Sequence, residues 1–259
     1  MKKRKLLKPI FYLLGLAGAA GIGFFMAAPD SSDICMIAHR GFSGKYPQNT
    51  ALAFRRAFEH GSGGAETDLR CTLDGVLVCS HGDCAYFADG TQLKIADNTF
   101  AALTAKPLKN NLTADEVYLC SFKEYLEICR EYKKICFIEL KGAFSDEKIN
   151  ECFNMAAEIY DLSKCILQSF NFENLLKARA AFPKLQLMLT FGADSDAALL
   201  HKCIENGISI DADYTCISRA AVKRFRDNGL KTGLWTVNDR LSLYYCYWLE
   251  PDFIESDIF

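Results

Sequence analysis

The chain has 259 residues, half of them hydrophobic and about a quarter charged, an ordinary balance for a globular protein. Its formal net charge of −2 hides an asymmetry: Lys2, Lys3, Arg4, Lys5 and Lys8 precede every acidic residue, leaving 25 basic against 32 acidic residues in the remainder. An acidic body carries no electrostatic footprint for nucleic acid, so that partner class is excluded and the basic cluster is read as targeting.

In chain order, the first feature is Ile10 to Ala28, nineteen residues without a charge. A helix of that length, at ~1.5 Å per residue, nearly spans a hydrocarbon core of about 30 Å, whereas a signal-peptide core is usually about 7–15 residues. Met26 also sits three residues before Ala28, where a cleavage site prefers a small side chain. The expectation is a single-pass cell-membrane anchor with a cytoplasmic N-terminus and an external domain; the alternatives are secretion after cleavage, or an apolar helix packed on the domain. Residues 1–33 therefore comprise a basic tail, the apolar segment and a short polar linker, and residues 34–259 one domain large enough for a sizeable core.

The twelve cysteines lie between Cys35 and Cys246 without paired CxxC spacing. That argues against a zinc site, and the domain is too large to need a disulfide framework. They read as small buried hydrophobes, and an external domain with so many free thiols would sit in surroundings that are not strongly oxidising.

After the linker, strand-like and helix-like segments alternate, as in proteins built on a parallel sheet. The expected strands are Ile34–Ala38, Ala65–Arg70, Ile135–Leu140, Cys165–Ser169, Leu185–Leu189, Ile208–Asp211, Thr232–Thr236 and Asp252–Ser256. The expected helices are Ala51–His60, Phe122–Tyr132, Asp146–Tyr160, Phe172–Phe182, Asp194–Asn206, Cys216–Asn228 and Asp239–Leu249. Ser121 followed by Glu124 reads as a capping box for the second of these. Val76–Cys79 follows the turn pair Asp74-Gly75 too closely for a parallel crossover. It is expected to return antiparallel to the second strand and deliver His81 to the strand ends. Residues 82–120 then read as an insertion with weak internal order.

The residues that carry chemistry fall at the C-terminal ends of these strands, where α/β barrels place their sites. They are His39 and Arg40 after the first strand, Glu66 and Asp68 in the second, His81 after the return, and Glu139 and Lys141 on the third. Residues two apart in a strand share a face, so Glu66 pairs with Asp68 and Glu139 with Lys141. Three converging carboxylates repel unless neutralised, and a hard divalent cation with oxygen ligands is the natural partner. Two imidazoles titrate near neutral pH, and Arg40 and Lys141 offer fixed positive charge to an anion. Metal, imidazoles and cations together describe a phosphoryl-transfer site.

The ordered series His39-Arg40-Gly41, Pro47-Gln48-Asn49-Thr50, Glu66-x-Asp68, Asp74-Gly75, His81 and Glu139-x-Lys141 resembles the glycerophosphodiester phosphodiesterase family. Gln168-Ser169-Phe170, Trp235-Thr236-Val237-Asn238 and Ser256-Asp257 continue it to the end of the chain. The resemblance implies a TIM (β/α)8 barrel and one divalent cation, Mg2+, Ca2+ or Mn2+, held at Glu66, Asp68 and Glu139. It implies His39 and His81 as general base and acid, in an order the sequence leaves open, and phosphate binding by Arg40 and Lys141. In the family's usual mechanism a free glycerol hydroxyl attacks phosphorus and expels the alcohol. Water then opens the cyclic phosphate to glycerol 3-phosphate. Two alternatives stand beside this: a lysophospholipase D-type activity on membrane lipids, and a non-catalytic phosphodiester-binding barrel.

The chain departs from the family pattern in three places: Gln48 stands where the family usually has Glu, Gly82 separates His81 from Asp83, and the insertion lacks the family's usual continuation. Phe170 and Trp235 are divided between core aromatics and a wall for substrate, with core packing slightly ahead for Phe170. Asp211 and Asp213 read as a solvated or supporting pair at the rim. His60 and His201 read as solvated helix positions.

Overall fold

The computed structural model describes residues 33–193 and 197–258. The expected anchor and the start of the helix at Asp194 lie outside the described residues. Eight parallel strands form the frame: β1 (Cys35–Ala38), β2 (Gly64–Cys71), β6 (Ile135–Leu140), β7 (Cys165–Ser169), β8 (Gln186–Phe191), β9 (Ser209–Asp213), β10 (Thr232–Trp235) and β11 (Phe253–Ser256). They pair in that order, and β1 pairs with both β11 and β2, so the sheet closes. β3 (Leu77–Cys79) runs antiparallel on β2, with Leu69 opposite Cys79, as the short turn requires.

Helices cover the outside: α1 (Ala51–Glu59), α3 (Phe122–Tyr132), α4 (Asp146–Ile159), α5 (Phe172–Ala181), α6 (Ala197–Glu205), α7 (Arg219–Asp227) and α8 (Arg240–Leu249). The Ser121 hydroxyl accepts from the backbone N–H of Glu124 at 3.1 Å, the cap expected at the start of α3. Tyr125, fully buried in α3, donates its hydroxyl to the carbonyl of Ala65 at 2.7 Å and ties that helix to β2.

Inside the barrel the alternation of strand side chains builds layers. Ile37, Phe137, Ile166, Met188 and Phe253 form an apolar plug. Two residues further along the same strands stand His39, Glu139, Gln168, Thr190 and Glu255, so the interior turns from apolar to polar within one strand repeat. Gly233 of β10 leaves room here: a Cβ would lie 2.6 Å from Asp211 Oδ1.

The insertion is better ordered than the sequence implied. It contains a hairpin of β4 (Cys84–Tyr86) and β5 (Gln92–Lys94) and the short helix α2 (Phe100–Leu103). Ala85, Phe87, Ile95, Leu103 and Leu119 pack with Val78 of β3 into a small core of their own. Three-residue strands are too short to show a period, which is why the order was not legible.

Candidate active site

The chain leaves β1 through two left-handed residues, Arg40 (φ 59°) and Gly41 (φ 77°). Gly41 lies against α1 so closely that a Cβ would meet the Ala53 backbone at 2.7 Å, and only glycine fits. Arg40 accepts the less favourable conformation, and there its backbone N–H bonds Glu66 Oε2 at 3.0 Å. Its guanidinium Nε stands 3.3 Å from Asp68 Oδ2, and Nη1 donates to Gln48 Oε1 at 2.9 Å. Gln48 therefore contacts Arg40 at the exposed rim.

β2 and β6 place the acidic residues side by side, with Asp68 opposite Glu139 in the ladder. Ligand oxygens of Glu66, Asp68 and Glu139 all lie within 4.8 Å of one another, and all three residues are buried. Lys141 Nζ bridges two of them, 2.8 Å from Asp68 Oδ1 and 2.6 Å from Glu139 Oε1. Glu66 Oε1 is buried with no hydrogen-bond partner. An orphaned carboxylate oxygen inside an all-oxygen cluster is what a hard divalent cation satisfies, so these residues fit the expected metal.

Their electrostatics agree. Burial, followed by the neighbouring Asp68 charge, pushes Glu66 well above the ordinary carboxylate range. Burial also raises Glu139, with Lys141 only partly offsetting it. Burial would raise Asp68 too, but the Lys141 ammonium and the Arg40 guanidinium outweigh it and hold that carboxyl low. The cluster is short of positive charge.

The return strand brings His81 to this end as expected: the Ser80 N–H bonds the Asp68 carbonyl at 2.8 Å, and Arg70 donates twice to the His81 carbonyl, at 2.7 and 3.2 Å. His81 is exposed, and partial burial followed by the Arg40 charge holds its imidazole below the usual value. His39, Arg40, His81 and Asp257 line one cleft of about 650 Å³, closed on one side by Tyr86 and Leu108 to Leu112 of the insertion. Phe170 and Trp235 do not line that cleft. Their rings meet edge to face, with centroids 5.9 Å apart, beyond Lys141, which sits 5.8 Å from the Phe170 ring. Phe170 is 54 % exposed, which overturns its reading as a core aromatic.

Several participants were not assigned from sequence. Asp257 Oδ1 lies 2.7 Å from His39 Nδ1 and accepts from the Ser43 hydroxyl, and Asn238 donates to Oδ2. Asn49 bonds Asp68 Oδ2 at 2.7 Å and takes the Thr67 hydroxyl at 2.8 Å. Glu255 is buried in the interior, taking the Gln168 amide at 2.6 Å. Asp211 is fully buried beside Gly233, so of the two readings, solvated or supporting, only the second stands for it; Asp213 is half-buried. The signal for Glu255 was its alternation with Phe253 and Asp257, which puts all three on one face. His60 and His201 are exposed on the outer helices, as expected.

A family model described as the glycerophosphoryl diester phosphodiesterase family matches residues 39–257. A glycerophosphodiester phosphodiesterase from Caldanaerobacter subterraneus is 27% identical over 209 residues, 78% of this chain and 85% of that one. One from Bacillus subtilis is 24% identical over 273 residues, covering 94% and 92%. Among solved structures, a phosphodiesterase from Oleispira antarctica in complex with the product sn-glycerol-3-phosphate superposes with a TM-score of 0.75 at 22% identity, covering 88% of this chain and 94% of that one.

Proposed function

The chain belongs to the glycerophosphoryl diester phosphodiesterase family, and on that premise we propose that its barrel mouth hydrolyses glycerophosphodiesters to glycerol 3-phosphate and an alcohol. One observation carries the reading: two histidines, two fixed cations and three buried carboxylates converge at one end of the barrel.

Glu66, Asp68 and Glu139 would hold one divalent cation, Mg2+, Ca2+ or Mn2+. Bound there, it supplies positive charge to the phosphoryl oxygens. Arg40 and Lys141 add fixed charge on the same side. Asp257 faces His39 Nδ1, which favours the Nδ1–H tautomer and leaves Nε2 as the acceptor. His39 therefore takes the proton of the glycerol hydroxyl as it attacks phosphorus. His81, across the cleft, gives a proton to the departing alcohol oxygen as its bond to phosphorus breaks. Water opens the resulting ring with the roles reversed. Phe170 and Trp235, outside that cleft and beyond Lys141, offer an apolar surface to a leaving group long enough to reach past Lys141.

A second substrate class, lysophospholipids, is favoured by the outer face of α8. Leu241, Tyr244, Tyr245 and Trp248 are exposed at i, i+3, i+4 and i+7, and no charge falls between Arg240 and Glu250. Tyrosine and tryptophan in that arrangement suit a membrane–water interface. The same reading holds the domain outside a cell membrane by residues 10–28, supported by their uncharged length and basic flank. Among the described residues no helix is long and apolar enough to cross a membrane.

Phosphorus NMR of the full chain with glycerophosphocholine or lysophosphatidylcholine, with each of the three metals, tests these readings. Glycerol 3-phosphate from the first supports the primary reading, and lysophosphatidic acid from the second supports the lipid one. No product with any metal counts against both. Retention in membranes after a carbonate wash tests the anchor, and release of the protein into the wash rejects it.

A further inference from the structure

The barrel interior holds more buried carboxylates than the expected cation and its basic neighbours neutralise. Glu66, Asp68, Glu139, Asp211 and Glu255 are all buried. Arg40 and Lys141 both contact Asp68, and Lys141 also contacts Glu139. Among the ion pairs of the described residues, Asp211 and Glu255 have no cationic partner; Glu255 has the neutral Gln168 amide, and Asp211 Oδ1 has no hydrogen bond. A buried carboxylate without a counter-charge is costly.

The geometry offers that charge a place. Besides the cluster of Glu66, Asp68 and Glu139, a second set of ligand atoms, from His39, Glu66 and Glu255, lies within 4.8 Å of one another. Ligands on opposite sides of one hard divalent cation are about 4–5 Å apart, so the spacing suits a single ion. Glu66 is common to both sets. Its Oε2 takes the Arg40 N–H, while Oε1 is buried and unpartnered. His39 turns Nδ1 to Asp257 and keeps Nε2 for a ligand. These ligands come from β2, from β11 and from the residue that follows β1, the strand that pairs with both.

We propose that His39, Glu66 and Glu255 form a second divalent-cation subsite, adjoining the one at Glu66, Asp68 and Glu139 and sharing Glu66 with it. It rests on the metal reading above and adds a site to it. One imidazole among its ligands favours Mn2+ over the harder Ca2+ and Mg2+. A cation on His39 Nε2 occupies the lone pair that accepts the substrate proton, so filling the subsite opposes turnover. Excess Mn2+ therefore inhibits.

The test titrates the metal-stripped full chain with Mn2+ alone and reads stoichiometry by equilibrium dialysis with elemental analysis, alongside electron paramagnetic resonance. Two Mn2+ per chain are expected, with resonance lines broadened by spin coupling as the second equivalent enters. Glu255→Gln conserves shape and should weaken the second equivalent at least tenfold while keeping the first. His39→Asn, which leaves the interior acids intact, should do the same and serves if Glu255→Gln does not fold. One Mn2+ per chain, or two that persist unchanged in both variants, overturns the second subsite. No Mn2+ at all overturns instead the metal reading on which it rests.

Discussion

His39 Nδ1 lies 2.7 Å from Asp257 Oδ1, although 218 positions separate them, because β1 and β11 close the barrel side by side. The Ser43 hydroxyl and the Asn238 amide fix the same carboxylate, at 2.7 and 2.5 Å. Asp257→Asn keeps the shape but loses the anion that orders the imidazole tautomer. It is expected to lower kcat by about 10²–10⁴-fold with little change in KM. Steady-state kinetics checks this; an unchanged kcat would remove Asp257 from the catalytic arrangement.

The same pair predicts an acid response. Burial would raise Asp257, but its bonds to His39 and Ser43 hold it down to about 2, from an ordinary value near 3.8. A depressed folded-state value contributes stability above the unfolded value, lost as pH falls through the folded one. The stability gap between the native chain and Asp257→Asn should therefore narrow between about pH 4 and pH 2. Denaturant titrations at several pH values read that gap, and a constant gap would contradict the pairing.

Lys141 is the nearest counter-charge to two buried carboxylates. Lys141→Met in metal-free protein should cost about 3–5 kcal/mol, since it leaves Glu139 without its ion pair and Asp68 with Arg40 alone. Added divalent cation should recover more stability in the variant than in the native chain. Urea unfolding with and without Mg2+ gives both numbers; equal metal gains in the two proteins would place the cation elsewhere.

Metal affinity should rise with pH. Burial raises Glu66 and Glu139, so a cation entering among them displaces protons. Titration calorimetry in buffers of different ionisation heat should show proton release on binding, growing as pH falls towards the acid range. Binding without proton release would mean that the carboxylates are already ionised.

Gln48 accepts from Arg40 at the exposed rim. Gln48→Glu adds a charge in high dielectric, where such a pair is worth about 0–1 kcal/mol. Metal affinity should stay within about threefold of the native value by calorimetry. A tenfold tightening would mean that the side chain reaches the acidic cluster.

Much of this was legible in the sequence because strand ends carry their own signal. Glu66 and Asp68, or Glu139 and Lys141, stand two apart in apolar strands, and that spacing fixes their shared face. Asp74-Gly75 likewise fixed the antiparallel return that brings His81 to the mouth. Glu255 was missed, and Asp211 left between solvent and a supporting place, because a carboxylate within an apolar strand reads the same whether it faces a polar interior or solvent. Only closure of the barrel decides which. The order of the insertion was missed because Ala85, Ile95 and Leu103 sit on elements of three or four residues and Phe87 just past one, so their core forms between elements and not along one.

The most direct test is glycerol 3-phosphate release from glycerophosphocholine by the full chain, in Mn2+, Mg2+ or Ca2+ and then in excess chelator, alongside His39→Ala. The account predicts release with at least one metal, loss of release under chelation, and loss of at least about 10²-fold in His39→Ala. No release with any metal, or full activity surviving in His39→Ala, would contradict it.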